Sequence, residues 1–361
     1  MLPPHPQPES GGVERKFDSC QGVLPDVMKG EDNMESDRFR GLVDATGPFV
    51  SVYFDDSHDS GDAVAQLDAR LRDIRKRLEE QSVGADVIEA IEIAARAKVP
   101  VGRSGRGLIA AGNRIVLDEH LIRPPAVTVV RVSELPYLVP VIEHGAMHTS
   151  YLMVAVDNTG ADISLASRTQ TVKSDDHAGP QGKAEAVRKN IREVADRITH
   201  LVDEHGPDIV FITGEVSARS ELLSELPERV AAKAVQLQGG GRTAGTDEAE
   251  VHHEMGQEFL KRRLAAIDEA AQRFKAAMGT GLAVEGLTGV TIALRDGSVD
   301  TLIIGDLGDA TVLDEGGERR ADEALPLLAV ATQAALVRTD ERISPADGVG
   351  AVLRYADPNV G

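Results

Sequence analysis

The residues most able to do chemistry are gathered between Asp175 and Arg192, in the stretch DDHAGPQGKAEAVRKNIR. Gln181 stands in a Gly179-Pro180-Gln181-Gly182 turn, with His177 in front and Lys183, Arg188, Lys189 and Arg192 behind. Between His177 and Arg192 only Glu185 opposes these cations. On a helix, Arg188 and Arg192 share a face at i and i+4, a spacing suited to clamping successive phosphates. Aromatic residues are scarce near the turn, so phosphate and shape contacts are expected rather than base stacking. A second basic run, residues 93–117, holds Arg96, Lys98, Arg103, Arg106 and Arg114 and no acid. It reads either as a solvated loop or as a second RNA-contacting segment.

Three other groupings point to different chemistry. Asp157, at a strand end, could join Glu215 and Asp175 or Asp176 as the carboxylate cluster of a metal-dependent nuclease. Acids at strand ends are also ordinary turn residues. The pair His252-His253 with Glu254 lacks the i, i+4 spacing of a zinc-binding helix, so no metal site is expected there. The glycines at 102–107 and 239–241 lack the ending of a phosphate-binding loop and read as turns, and no cofactor is expected.

The elements that must carry these residues follow from periodicity. Residues 1–33 are rich in Pro, Gly and polar residues and are expected to be disordered, leaving Met1 or Met34 as the start. The first domain, 34–147, reads α+β: a strand at FVSVYF (49–54), then a helix through Val64, Leu67, Leu71, Ile74 and Leu78. Short strands follow, including AVTVVRV (126–132) and YLVPVIE (137–143). The second domain, 148–238, has a hairpin from YLMVAVD and ADISLAS, then the Gly-Pro-Gln turn and a long amphipathic helix. The strand IVFIT (209–213), a helix near 218–226 and the strand AKAVQLQ complete a mixed sheet of ribonuclease-H-like type. A linker opens the third domain, 239–361, an α/β unit with a helix through Phe259, Leu264, Ile267 and Phe274. A further helix, ALPLLAVATQAALV (324–337), lies near its end.

Composition narrows the classes. Apolar residues make up 42% of the chain but aromatics only 3%, so the cores must be built from Val, Ile, Leu and Ala. The single Cys20 excludes a disulfide framework and a four-cysteine zinc site. No apolar run of about 18 residues occurs, and the opening MLPPHPQPESGG is no signal peptide. No membrane contact and a cytoplasmic location are expected. A net charge of −20 argues against diffuse nucleic-acid binding, DNA included, and requires any RNA contact to be a local basic edge.

Two motifs in order carry a resemblance. The Gly-Pro-Gln turn occupies the place of the Gly-Gly-Gln loop of archaeal and eukaryotic class 1 release factors. Downstream, Gly286, Val290, Ala293 and Leu294 precede Gly297-Ser298-Val299-Asp300-Thr301-Leu302-Ile303-Ile304. That run resembles the last-domain motif of release factor 1 and Pelota, in which a glycine reverses the chain tightly at a helix end. The chain resembles the bacterial branch of this superfamily, and within it the actinobacterial relatives of the hibernation factor Balon. The resemblance implies a tRNA-shaped protein of three domains, with a Pelota-like last domain, in the A site of the 70S ribosome. Its first domain would face the decoding-centre rRNA, its second the peptidyl-transferase centre, and its third elongation factor Tu. Pro180 departs from the pattern: it fixes φ near −65°, removes an N–H and biases Gly179 toward extended backbone. A loop so altered is poorly suited to offering a backbone amide to an oxyanion. The stop-codon-reading Asn-Ile-Lys-Ser signature is also missing from the first domain. Occupation of the A site without hydrolysis is therefore expected, with no catalytic residue. The alternatives are a hydrolytic release or rescue factor using Gln181, and the nuclease.

Overall fold

The computed structural model describes residues 39–58, 61–97, 103–145, 150–167, 170–178, 184–239, 248–314, 316–340 and 342–355. The expected disordered segment 1–33 lies outside them.

The first sheet follows a short helix, α1 (Arg40–Val43), and contains β1 (Phe49–Asp55), β2 (Gly105–Ala111), β3 (Arg114–Leu121) and β4 (Val129–Ser133), in the order β3-β2-β1-β4. Both faces of β1 are covered, which is why FVSVYF is apolar at every position but Ser51 rather than alternating. Val50, Val52 and Phe54 meet the helices α2 (Ala63–Glu80) and α3 (Ala85–Ala97), while Phe49 and Tyr53 point to the opposite face. The stripe Leu67, Leu71, Ile74 and Leu78 is buried as its spacing predicts. Val64, in the first turn at the stripe's edge, stays 68% exposed, and Ala63 takes the buried position instead. The segment expected as strand 137–143 is a helix, α4 (Val139–His144), where Pro140 supplies the preset φ of a first turn.

The middle sheet has five strands: β5 (Tyr151–Asp157), β6 (Gly160–Ser167), β7 (Gln170–Ala178), β8 (Ile209–Gly214) and β9 (Ala234–Gln236). Their order is β7-β6-β5-β8-β9, with the β5–β6–β7 meander antiparallel and β5–β8–β9 parallel. This is the ribonuclease-H-like arrangement. The helix α5 (Ala184–His205) lays Ile191, Val194, Ala195, Ile198 and Val202 on Leu152, Val154 and Ile163. Beside it run α6 (Val216–Glu225) and the short α7 (Glu228–Ala231).

The third unit opens with α8 (Glu248–Met278) and contains β10 (Ala283–Glu285), α9 (Leu287–Arg295), β11 (Val299–Ile304), the hairpin β12 (Thr311–Asp314) and β13 (Gly317–Arg320), α10 (Ala321–Ala331), β14 (Ala335–Arg338) and β15 (Val349–Leu353). Its sheet runs β10-β15-β11-β14, with β11 and β14 parallel. The helix expected over 324–337 stops at Ala331. Gln333 takes a φ of 58° and the remaining apolar residues enter β14, because a short apolar run fits a buried strand as well as a helix. The turn after α9 is a complete Schellman motif: Gly297, at φ 67°, donates to Leu294 O and Ser298 donates to Ala293 O.

Packing crosses the boundaries drawn on the sequence. Phe49, Tyr53, Leu138 and Val141 of the first unit share one core with Leu294, Leu302, Leu325 and Val349 of the third. The 31-residue α8, about 46 Å long by its rise per residue, touches the middle sheet, the third sheet and, through α4, the first unit. Val251 and Met255 pack with Phe211, Arg263 donates to the carbonyls of Ile142 and Gly145, and Phe274 packs with Ile303. Among the described residues, no helix is long and apolar enough to cross a membrane.

Candidate nucleic-acid interface

The site is assembled at the edge of the middle sheet. β7 is the edge strand and ends at Ala178, and α5 begins at Ala184. Gly179, Pro180, Gln181 and Lys183, between them, lie outside the described residues, as does Lys98 of the first domain. His177 lies in β7 opposite Ala161. That strand was missed in the sequence because Lys-Ser-Asp-Asp-His has little β propensity; it is held there by pairing with β6.

Arg188, Lys189 and Arg192 project from the outer face of α5, their side chains 72%, 74% and 67% exposed. Within the stretch only Glu185 stands against them, but Glu193 just beyond it and two acids of α6 join in. Arg188 Nε lies 3.9 Å from Glu221 and Arg192 Nε 3.3 Å from Glu225, both on α6, and Lys189 lies 3.7 Å from Glu193. One position further in, Asn190 is 1% exposed, and neither atom of its amide has a hydrogen-bond partner.

The first-domain run does not form one patch. Arg106 is fully buried: it donates to Asp118 Oδ1 at 2.7 Å and to Ala94 O at 3.0 Å, and lies 3.5 Å from Asp56. It is removed from the RNA-contacting set, since a guanidinium so enclosed cannot meet a phosphate. Arg96 pairs with Asp68 at 3.1 Å and Glu92 at 3.7 Å. Glu92 and Asp118 are the acids that bound the acid-free run on either side, so folding supplies what the run itself lacks. Arg103 and Arg114 are exposed but lie at opposite ends of the β2–β3 hairpin, on the order of 20 Å apart by strand rise.

Burial also acts inside this domain. Both carboxylate oxygens of Asp56 are enclosed without a hydrogen bond, and burial pushes its pKa up to about 6 against the pull of Arg106 and His58. Between the first and third sheets, a polar cavity of about 190 Å³ is lined by Arg131, Tyr137, Arg320, Arg338, Asp306 and Asp322. Its guanidinium groups are already matched. Arg131 stacks 3.6 Å above the Tyr137 ring and donates to Asp322 and Glu323, Arg320 pairs with Asp309 and Asp322, and Arg338 with Glu143. This is an internal tie between sheets.

Of the nuclease acids, Asp157 and Glu215 are taken up in turn contacts, while the side chains of Asp175 and Asp176 lie outside the described residues. Asp157 Oδ1 accepts from Thr159 and Gly160 and closes its own turn, and Glu215 accepts from Asn158. Among the described residues, no group of three or more His, Cys, Asp and Glu could hold a metal ion. His253 contacts Gln257, and Glu254 accepts from the amides of Gln238 and Gly239, fixing the exit from β9.

Comparison with known proteins adds a further line. A family model described as "Bacterial archaeo-eukaryotic release factor family 2" matches residues 150–280, the middle sheet and the whole of α8. The uncharacterized protein Rv2629 of Mycobacterium tuberculosis is 46% identical over 367 residues, covering 90% of this chain and 98% of its own. Among solved structures, Archaeoglobus fulgidus Pelota is 12% identical with a TM-score of 0.40, covering 91% of this chain and 94% of that one. The archaeal termination factor aRF1 is 17% identical with a TM-score of 0.26, covering 90% and 98%. Neither score reaches the level at which shared architecture or function follows.

Proposed function

From the premise that this chain belongs to the bacterial archaeo-eukaryotic release factors, within the release factor 1–Pelota superfamily, we propose that it binds the vacant A site of the 70S ribosome and protects idle particles without hydrolysing peptidyl-tRNA. One observation carries the reading: Pro180 stands where the hydrolytic loop of that superfamily has a glycine. Proline removes a backbone donor and restricts the residue before it, which disfavours the backbone geometry an oxyanion needs. The Gly-Pro-Gln segment and His177, with Lys183, Arg188, Lys189 and Arg192 behind them, would meet rRNA of the peptidyl-transferase centre. Arg96, Lys98, Arg103 and Arg114 would face the decoding centre, at separate points rather than as one patch. Elongation factor Tu is the proposed partner of the last unit, and the cytoplasm the proposed location.

Cosedimentation of the full chain with vacant 70S ribosomes, with and without elongation factor Tu, tests this reading beside a peptidyl-tRNA release assay. Binding that weakens steeply with salt, without release, is the expected result. No association at low salt would remove the proposal. A second reading, a release or rescue factor, is favoured by the retained Gln181. Peptide release that disappears in Gln181→Ala would establish it over the first.

A further inference from the structure

We propose that Glu221 and Glu225 of α6 act as a built-in stand-in for an RNA backbone, covering the Arg188–Arg192 face of α5 until a phosphate backbone displaces them. The inference rests on the reading of that face as RNA-contacting. Its geometry is a two-by-two ladder. Arg188 and Arg192 are one helical turn apart, Glu221 and Glu225 are one turn apart, and each guanidinium faces one carboxylate. The anions therefore repeat at about 6 Å along the helix, a step comparable to that between neighbouring phosphates on a strand.

The ladder loosens toward the loop that α5 follows. At the far end of the helix, Arg229 grips Asp203 as a fork, with hydrogen bonds of 2.7, 3.0 and 3.2 Å. Nearer the loop, Arg192 reaches Glu225 at 3.3 Å through one nitrogen, and Arg188 reaches Glu221 only at 3.9 Å. Forked pairs are the strong, fixed ones, and single exposed contacts contribute little. The two pairs beside the loop are thus the ones an incoming phosphate can exchange. Once displaced, both carboxylates stay beside the strand and repel it, which lowers affinity and speeds release.

The test compares binding of the full chain to vacant 70S ribosomes for four proteins: the unaltered chain, R188A/R192A, E221Q/E225Q and D203N/E204Q. The last makes the same charge change, but about 16 Å along α5 from Arg192, roughly two Debye lengths at physiological salt. The expected result is about fivefold tighter binding for E221Q/E225Q at physiological salt, within what two exposed ion pairs allow, fading as salt rises further. D203N/E204Q should leave binding unchanged, and R188A/R192A should weaken it. E221A/E225A repeats the test without amides that could pair with the guanidinium groups, and thermal melts show that each variant is folded. Equal tightening by D203N/E204Q would overturn the stand-in as a mere effect of total charge. Weakening by R188A/R192A with no gain in either glutamate variant would overturn it too, while leaving the RNA-contact reading in place. No effect of R188A/R192A would overturn both.

Discussion

Asp56 and Arg106 show what burial does to charge in this chain. A carboxyl enclosed without a hydrogen bond favours its protonated form, and Asp56 is pushed up from an ordinary 3.8 to about 6. The folded pKa is raised, so the stability it contributes is complete below about pH 4 and lost as pH rises through about 6. By linkage, that loss is on the order of 3 kcal/mol at pH 8. Asp56→Asn does not titrate. Thermal melts should therefore find its stability relative to the unaltered chain increasing from pH 5 to pH 8, and a constant difference would refute the assignment. Arg106 was not legible as a core residue, because its partners Asp56 and Asp118 lie 50 and 12 positions away and only the sheet joins them. The opposite holds for Arg188 and Arg192: their helical face was readable from spacing, but the acids 33 positions on were not.

At the scale of elements, local signals held where one conformation dominates. The buried stripe of α2, the β5–β6 hairpin and the glycine ending α9 were all readable from spacing or turn chemistry. Gly297 allows a direct check. A Cβ there meets nothing within 4 Å, so Gly297→Ala should lose only the backbone freedom of a positive φ, about 1 kcal/mol, measurable by urea denaturation. Gly214, at φ 120°, is different: a Cβ there would lie 1.9 Å from Val156 O, inside the β5–β8 pairing. Gly214→Ala should be clearly more damaging than Gly297→Ala, and equal midpoints would contradict the geometry. Elements were misread where tertiary pairing decides. β7 is polar and exists through β6, β14 completes a buried parallel pair, and α4 reads as a strand by composition alone.

Over the whole molecule, linear order is a poor guide to which parts fold together. Residues 34–147 and 239–361 read as separate domains, yet Tyr53 and Val141 share a core with Leu302 and Leu325, and Arg131 is tied to Asp322 at 2.9 Å across the same boundary. Burial holds Glu323 above the usual carboxylate range despite its bond to Arg131, and Arg131 stays above its own ordinary value because its bonds to Asp322 and Glu323 outweigh burial. No periodicity reports such long-range matching.

The single helix α8 has a further consequence, one of phase. Phe259 is seated against Phe211 of the middle sheet and Phe274 against Ile303 of the third, so one rod keys two locks at a fixed angular offset. Adding one residue between Arg263 and Ala270 turns the later key by about 100°, whereas adding seven returns it to within about 20° at the expense of length. Limited proteolysis and thermal melts should find the one-residue insertion the more disruptive of the two. If the shorter insertion proves the milder, distance rather than rotation governs how the two halves engage.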